Sequence, residues 1–248
     1  MTHRLVTIRY SHYCEKARWA LERARVDFVE EPHVPVLSWL GTLGARGNRT
    51  APVFVADGKV LPESTDVLKW TDEHGRAPAL FPEGDAEVER LEDRFDRILG
   101  PTARRVAYDE VLRLPRAQLG ELLGKDAPRW EQSVARSVPG LIGGMIKRGL
   151  RVVPKEVERS RVAVDVIFDE VAEILRDGRP YLTGDRFTAA DLTFAALATP
   201  VVFPEHYARY AMPFESMSPA IREIVERHRA TPAGRFALRM YEAHRAPA

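Results

Sequence analysis

The sequence predicts an α/β domain followed by an all-helical domain, and two observations lead to this fold class. Before residue 75, short apolar runs alternate with helical patterns in the order β-α-β, loop, β-β-α. Beyond the Pro- and Gly-rich stretch 75–85, long periodic helical segments replace the strands. We therefore expect a mixed-sheet domain at residues 1–78 and an all-helical domain at residues 84–248.

Local patterns justify each element of the first domain. They predict a buried strand at 5–8, a helix at 15–24 with apolar residues on one face, and a second strand at 26–29. A loop with a short helix is expected at 35–47. The Asp57-Gly58 turn then joins two short strands at 52–55 and 59–61, and Ser64 or Thr65 caps a helix that runs to His74.

Periodic apolar residues predict the helices of the second domain, at 86–99, 156–177, 188–197, 218–229 and 234–244. The segment 137–154 is apolar and glycine-rich. It suits the wall of a hydrophobic pocket, a surface that touches lipid-like ligands, or a core helix, and its apolar stripe favours the core helix. Trp130, Met145 and Tyr108 are candidate pocket residues.

Composition excludes several classes of protein. The 37 basic and 36 acidic residues leave a net charge of +1, which argues against a nucleic-acid partner. One cysteine excludes an internal disulfide, and the seven histidines have no metal-site spacing, so no metal is expected. The sequence has neither a signal-peptide pattern nor an apolar run of membrane-spanning length, which predicts a cytoplasmic protein with no membrane span.

Three corners of the first domain carry candidate binding groups. The turn at 10–14 joins a strand to a helix N-terminus, where backbone N–H groups and the helix dipole favour an anion or thiolate. Pro52 begins a strand and is a candidate for a cis peptide bond, which would leave the backbone of Ala51 free to pair with a bound peptide. Glu63 and Ser64 can hold a zwitterionic amino-acid head group or simply cap the next helix.

These stretches carry a family resemblance. RYSHYCEKARWAL, TAPVF and LPES resemble the glutathione-binding half of cytosolic glutathione transferases, and RPYLTGDRFTAADLTFAA (179–196) is similar to a segment of that family's helical domain. In the latter segment, Thr188 and Asp191 have the spacing of a capping box. The resemblance spans most of residues 3–80 and 155–235. It implies a thioredoxin-like domain followed by a helical bundle, a homodimer, glutathione as co-substrate and a small hydrophobic electrophile.

The resemblance also assigns roles to residues of the first helix. In the serine- and cysteine-type classes, the residue that activates the thiol stands first in a C-P-Y-C-like tetrad, which here is 11–14. Ser11 matches that residue, and Cys14 matches the second, less reactive position. Cys14 is either a buried residue of the first helical turn or a nucleophile whose pKa is lowered by the helix N-terminus. His12 is expected to face solvent.

The remaining predicted contacts with glutathione lie in the second half of the sheet domain. Pro52 matches the cis-proline of the family, Ala51 the residue whose backbone pairs with the cysteinyl part, and Glu63 and Ser64 the anchors of the γ-glutamyl part. The lysine that meets the glycyl carboxylate in the family is absent. Arg49 is a candidate substitute, and a solvated loop charge is the alternative.

Three functions follow from these residues. The favoured one is conjugation of glutathione, or a related low-molecular-weight thiol, to an apolar electrophile. The second is thiol–disulfide exchange or deglutathionylation through Cys14. The third is a non-catalytic binding or regulatory module whose glutathione site has decayed.

Overall fold

The computed structural model describes residues 3–44 and 50–245, except for the side chains of residues 43 and 44. Its four strands form one mixed sheet in the order β2-β1-β3-β4. They are β1 (His3–Thr7), β2 (Phe28–Pro32), β3 (Val53–Ala56) and β4 (Lys59–Leu61). Strand β1 is parallel to β2, because a helical crossover joins them, and it is antiparallel to β3. Strands β3 and β4 form an antiparallel hairpin.

The hairpin turns at Asp57 and Gly58, as predicted. Both residues have positive φ angles, 50° and 79°, which two-residue turns between twisted strands require. Strand β2 begins at Phe28, two residues later than predicted. The preceding Val26 still belongs to the connection, because its N–H donates to the carbonyl of Leu21 at 3.0 Å.

Three helices accompany the sheet: α1 (His12–Arg23), α2 (Ser38–Gly44) and α3 (Ser64–His74). Apolar side chains of α1 and α3 pack with those of the sheet in one core, including Leu5, Leu21, Phe54 and Trp70. Helix α3 has Glu63 at its N-cap and Ser64 as its first residue. It therefore begins slightly earlier than the predicted cap at Ser64 or Thr65.

Beyond β4, no described residue lies in a β-strand, which confirms the predicted helical second region. The helices there are α4 (Ala86–Arg94), α5 (Gly100–Val111), α6 (Arg116–Leu123), α7 (Arg129–Ser137), α8 (Pro139–Gly149), α9 (Pro154–Ile174), α10 (Ala189–Leu197), α11 (Thr199–Val202), α12 (Glu205–Ala208), α13 (Pro219–Arg229) and α14 (Pro232–His244). A π-helical segment, Phe95–Leu99, joins α4 to α5, and 3₁₀ turns occupy Leu175–Asp177 and Phe214–Ser216. None of the helices in the described ranges is long and apolar enough to span a membrane.

Helix α10 forms the centre of the helical region, and all its residues are buried. The predicted capping box is present at its start. The backbone N–H and the hydroxyl of Thr188 both donate to Asp191 Oδ2, at 2.8 and 2.9 Å, and the N–H of Leu182 donates to the other carboxylate oxygen at 2.8 Å. Burial raises the pKa of Asp191 to about 6, although these hydrogen bonds oppose the shift.

Candidate functional site

A cavity of about 490 Å³ lies between the sheet domain and the helical region. On the sheet side it is lined by the β1–α1 turn, the loop before α2 and the residues preceding β3. The opposite wall comes from α5, α8 and the segment 200–221. Two residues predicted from the sequence, Ser11 and Ala51, line this same cavity.

Ser11 occupies the N-cap of α1 with an extended backbone (φ −77°, ψ 127°). Its side-chain oxygen accepts the N–H of Cys14 at 3.4 Å. The Ser11 side chain also makes a hydrogen-bonding contact with the Cys14 thiol, which opposes the rise in the pKa of that thiol. Because a serine hydroxyl rotates to suit its partners, its proton can turn from this sulfur towards a ligand in the cavity.

Cys14 follows in the first turn of α1 and is completely buried. Its sulfur accepts the N–H of Ile8 at 3.4 Å. Burial raises the pKa of the Cys14 thiol to about 11, and hydrogen bonds from Ile8 and Ser11 only partly oppose this shift. Of the two alternatives open for Cys14, the structure favours the buried residue of the first turn, because loss of hydration outweighs the local dipoles.

His12 does not face solvent, which corrects the sequence-based expectation. Only 3% of its surface is exposed, and its Nε2 lies 2.9 Å from the carbonyl of Gly100 at the start of α5. Burial lowers the pKa of His12 to about 3, and the positive charge of Arg104 adds to this shift. The neutral ring thus fixes the first turn of α1 against α5.

Gly100 permits this close approach of the two helices. A Cβ atom at this position would lie 2.1 Å from the hydroxyl of Tyr13. That hydroxyl donates to the carbonyl of Asp96, at 2.6 Å, within the π-helical segment. A π-helical turn of this kind displaces the helix locally and is frequent near functional sites.

The Ala51–Pro52 peptide bond is cis, as the sequence predicted. Ala51 lines the cavity, whereas Pro52 is buried behind it. Glu63 is exposed at the N-cap of α3 and Ser64 is buried beside it. Neither is among the residues that line the cavity.

Glu63 nevertheless lies close enough to the first turn of α1 to act on it electrostatically. Its negative charge contributes to the raised pKa of Tyr13, together with the larger effects of burial and of Asp96. The roles predicted for Ala51, Pro52, Glu63 and Ser64 in thiol binding stay predictions. Arg49 lies outside the described residues.

Three tyrosine hydroxyl groups lie around the cavity. The hydroxyl of Tyr108 donates to that of Tyr10 at 3.5 Å, and the hydroxyl of Tyr207 donates to the carbonyl of Tyr10 in a short hydrogen bond. Burial raises the pKa of all three tyrosines. They are therefore neutral hydrogen-bonding groups at ordinary pH and do not act as phenolate bases.

Helix α8 combines two of the roles considered for the segment 137–154. Ile142 and Ile146 pack into an apolar cluster with α6, as a core helix would. Ile146 also lines the cavity, together with Met145 and Leu150. The predicted pocket residues Met145 and Tyr108 are thus confirmed, whereas Trp130 is absent from the lining and is 54% exposed.

Arg104 is a charged residue of the cavity lining that the sequence analysis missed. It lines the cavity on the same face of α5 as Tyr108 and Val111, which follow at i+4 and i+7. That spacing was visible in the sequence. The one-sided pattern could not be assigned to a cavity without knowing which helices lie opposite it.

Family models match both parts of the chain. The model described as the N-terminal domain of glutathione S-transferase matches residues 5–84, and the model of the C-terminal domain matches residues 154–228. Because the two models together cover more than half of the sequence, the chain belongs to the glutathione S-transferase family.

Solved structures are similar in fold along the whole chain. A glutathione S-transferase from Methylobacterium radiotolerans, in complex with glutathione sulfonate, is 22% identical, covers 96% of this chain and 95% of its own, and has a TM-score of 0.53. A beta-etherase from Sphingobium sp. is 17% identical, with 96% and 99% covered and a TM-score of 0.59. None of the curated proteins compared with the chain matches it.

The cavity offers hydrogen-bonding groups of two kinds. A hydroxyl at a helix N-terminus and a nearby strand backbone suit a peptide-like thiol. Among residues 3–44 and 50–245, no three His, Cys, Asp or Glu side chains are grouped as a metal site would need.

Proposed function

We propose that this chain binds glutathione, or a related low-molecular-weight thiol, and conjugates its sulfur to an apolar electrophile. The observation that carries this proposal is that Ser11 and Ala51 line one cavity whose opposite wall is mostly apolar. A thiol on the sheet side and an electrophile on the helical side would then meet within one enclosed volume.

The first step is activation of the bound thiol. The hydroxyl of Ser11 donates a hydrogen bond to the sulfur, and the N-terminus of α1 adds a favourable dipole. Both stabilise the thiolate over the thiol, so the pKa of the bound thiol falls and its proton leaves to solvent. The thiolate then forms a carbon–sulfur bond, and the leaving group departs with the electron pair of the bond that breaks.

The protein contributes no covalent chemistry of its own to this reaction. Its effect comes from stabilising the thiolate and from holding both reactants in contact. The backbone of Ala51 pairs with the cysteinyl part of the thiol, next to the cis Pro52. Glu63 and Ser64 hold the γ-glutamyl head group, and Arg49 is the candidate partner of the glycyl carboxylate.

Three further parts of the proposal rest on family membership. We infer a homodimer in the cytoplasm that acts in detoxification of electrophiles. Sedimentation of the purified protein at several concentrations tests the dimer. A monomer across the whole concentration range would contradict it.

Ser11 is the better candidate than Cys14 for the reactive site. Cys14 is completely buried and its pKa is raised to about 11, and both properties oppose formation of a nucleophilic thiolate. Conjugation with neutral chlorodinitrobenzene separates the two residues. We expect Ser11→Ala to lower kcat/KM by about 10- to 100-fold, as loss of a hydrogen bond to a charged group does.

The matched variant for this experiment is Cys14→Ala, which we expect to keep kcat/KM within about twofold. The opposite pattern, with activity lost in Cys14→Ala and kept in Ser11→Ala, would support thiol–disulfide exchange through Cys14. A disulfide-exchange assay on the same two variants would then show the activity directly.

Binding of the thiol is tested by calorimetric titration with reduced glutathione. We expect a dissociation constant between micromolar and millimolar that rises about tenfold in Glu63→Ala, through loss of a charge-assisted contact. Glu73→Ala, at the exposed C-terminal end of the same helix, is the control and leaves it unchanged. Absence of heat from a folded sample would contradict glutathione binding and favour another thiol or the non-catalytic module.

A further inference from the structure

Arg104 is a half-buried cation of α5. Its Nε atom is shielded from solvent and has no hydrogen-bond partner in the described ranges 3–44 and 50–245. No carboxylate of those ranges forms an ion pair with its guanidinium group. Arg104 also lines the cavity, so its positive charge borders the space in which a ligand would bind.

The neighbours of Arg104 experience this charge. Burial lowers the pKa of His12 to about 3, and Arg104 is the next largest cause. Arg104 also opposes the burial-induced rise in the pKa of Tyr108. Its guanidinium carbon lies 5.7 Å from the ring centroid of Tyr13. The described neighbours of Arg104 thus include three rings, and the charges of Asp96 and Glu63 also act on one of them, Tyr13.

A guanidinium group with a shielded and unpartnered Nε atom is unfavourable for the protein alone. The cost disappears when a ligand brings an anion, and guanidinium groups bind carboxylates and similar anions through two parallel hydrogen bonds. The Tyr10–Tyr108 hydroxyl pair lies on the same cavity. The rest of the nearby wall is apolar and includes Val111, Leu150 and Met217.

We propose that the electrophile bound in this cavity is an organic anion, an apolar body carrying a carboxylate or sulfonate that Arg104 holds. The proposal rests on the function proposed above and narrows its substrate class. The apolar wall binds the body of the molecule, and Arg104 fixes its charged end. The electrophilic carbon then faces the sheet side, where Ser11 lies.

The carboxylates of the thiol are the competing partners of Arg104. Its position on α5 favours the electrophile, because Tyr108 and Val111 on the same helical face belong to the helical wall. The residues predicted to anchor the thiol all belong to the sheet domain. Separate titrations with the thiol and with an anionic probe distinguish the two partners.

Two fluorescent probes that differ by one charge provide the test: anilinonaphthalene sulfonate and its neutral counterpart, phenylnaphthylamine. We expect Arg104→Met to raise the dissociation constant of the sulfonate about tenfold or more. The dissociation constant of the neutral probe should change less than twofold in the same variant. Arg104→Lys gives an intermediate loss for the sulfonate, because it keeps the charge without the forked geometry.

The matched control is Arg113→Met, which removes an exposed arginine that pairs with Asp109 and Glu110 just after the same helix. It leaves the affinities for both probes unchanged. Equal changes for both probes in Arg104→Met, or no change for either, would overturn the proposal.

Glutathione titration of Arg104→Met separates this proposal from the function proposed above. We expect the thiol to bind within twofold of wild type. If Arg104→Met bound the thiol tenfold more weakly and the sulfonate with unchanged affinity, the proposal would be overturned and Arg104 would be assigned to the thiol. If wild type binds no glutathione at all, the thiol function fails, whereas the probe comparison still tests Arg104.

Thermal unfolding shows that the variant remains folded. Removing a guanidinium group with a shielded and unpartnered Nε atom is expected to keep or raise the midpoint temperature of Arg104→Met. A lower midpoint would show that Arg104 has a structural partner and would count against the proposal.

Discussion

The first two turns of α1 carry polar groups in opposite states. At the N-cap, Ser11 lines the cavity, and among the described residues its side chain bonds only to the neighbouring Cys14. In the second turn, Arg18 is saturated: it donates to Glu15 at 2.5 Å, to Glu30 at 2.6 Å and to the carbonyl of Arg9. Groups held by several partners stabilise the fold, whereas a hydroxyl with one local contact beside a cavity can turn to a ligand.

The turn of α1 at residues 15–18, called the saturated turn below, connects distant segments of the chain. Glu15 also accepts from Arg245 beyond α14, at 2.9 Å. Lys16 donates to Glu92 of α4 and Asp96 of the π-helical segment, at 2.5 and 2.6 Å. These buried ion pairs fix α1 against the helical region, and they thereby hold its first turn at the cavity.

The largest expected effect comes from breaking the saturated turn. Arg18→Met leaves Glu15 and Glu30 with unpaired hydrogen-bonding capacity in a buried site. Removing one partner of a buried ion pair typically costs about 3–5 kcal/mol of unfolding free energy. Urea unfolding monitored by circular dichroism measures this loss.

Arg4→Met is the matched control, because Arg4 pairs with Glu31 at the surface, where its side chain is 45% exposed. Exposed pairs contribute less than about 1 kcal/mol. If the two variants lost the same stability, the distinction between saturated and surface pairs would not hold.

A smaller effect is expected where the first turn of α1 meets α5. In Gly100→Ala, the new methyl group overlaps the hydroxyl of Tyr13, which must move away from the carbonyl of Asp96. We expect a loss of about 1–3 kcal/mol, the usual cost of overpacking. The control Gly144→Ala lies on α8 with nothing within 4 Å of the new atom, so helix propensity should stabilise it by up to about 1 kcal/mol. Equal unfolding midpoints in urea would contradict the close packing at Gly100.

The buried His12 adds a pH dependence to the first turn. Because its folded-state pKa is about 3 and its ordinary value is 6.5, the unfolded chain binds a proton that the native state does not bind between these pH values. The part of the unfolding free energy that depends on a neutral His12 is fully present above pH 6.5 and is lost as the pH falls towards 3. We expect His12→Asn to show a shallower loss of unfolding free energy than wild type across this range. Parallel curves would show that His12 is accessible to protonation in the native state.

The smallest expected effect concerns the reactivity of Cys14. Its thiol should react with dithiobis-nitrobenzoate only as fast as the protein unfolds, because it is completely buried and its pKa is raised. Stopped-flow absorbance measures the rate of the thiol reaction in water, where the protein is folded, and in urea, where it is unfolded. A reaction as fast in water as in urea would place a reactive thiolate at the cavity.

Local signals in the sequence predicted much of the fold. The hairpin at Asp57, the cis Pro52 and the capping box of Thr188 and Asp191 each follow from neighbouring residues, and the structure confirms them. The start of β2 was misplaced by two residues, because turn and strand residues alternate there without a clear boundary. Boundaries of this kind depend on pairing with β1, which lies far away in the sequence.

The sheet side of the candidate site was more predictable than the helical side, where Tyr108 and Met145 were the residues anticipated. Ser11 and Ala51 were found from their motifs, whereas Arg104 depends on the packing of α5 against α1. His12 was wrongly expected at the surface because Gly100, its hydrogen-bond partner, lies 88 residues away. For Cys14, the sequence offered a buried residue or an acidified nucleophile, and the packing around α1 decides for the buried residue, whose pKa is raised.

The pKa of bound glutathione tests the central claim most directly. Thiolate absorbance of the glutathione-saturated protein is measured against pH for wild type, Ser11→Ala and Cys14→Ala. We predict a pKa below that of free glutathione in wild type and Cys14→Ala, and a rise of about one unit or more in Ser11→Ala, as expected for one lost hydrogen bond to a charged group. The same pKa for bound and free glutathione, or a lowered pKa that survives in Ser11→Ala, would contradict the account.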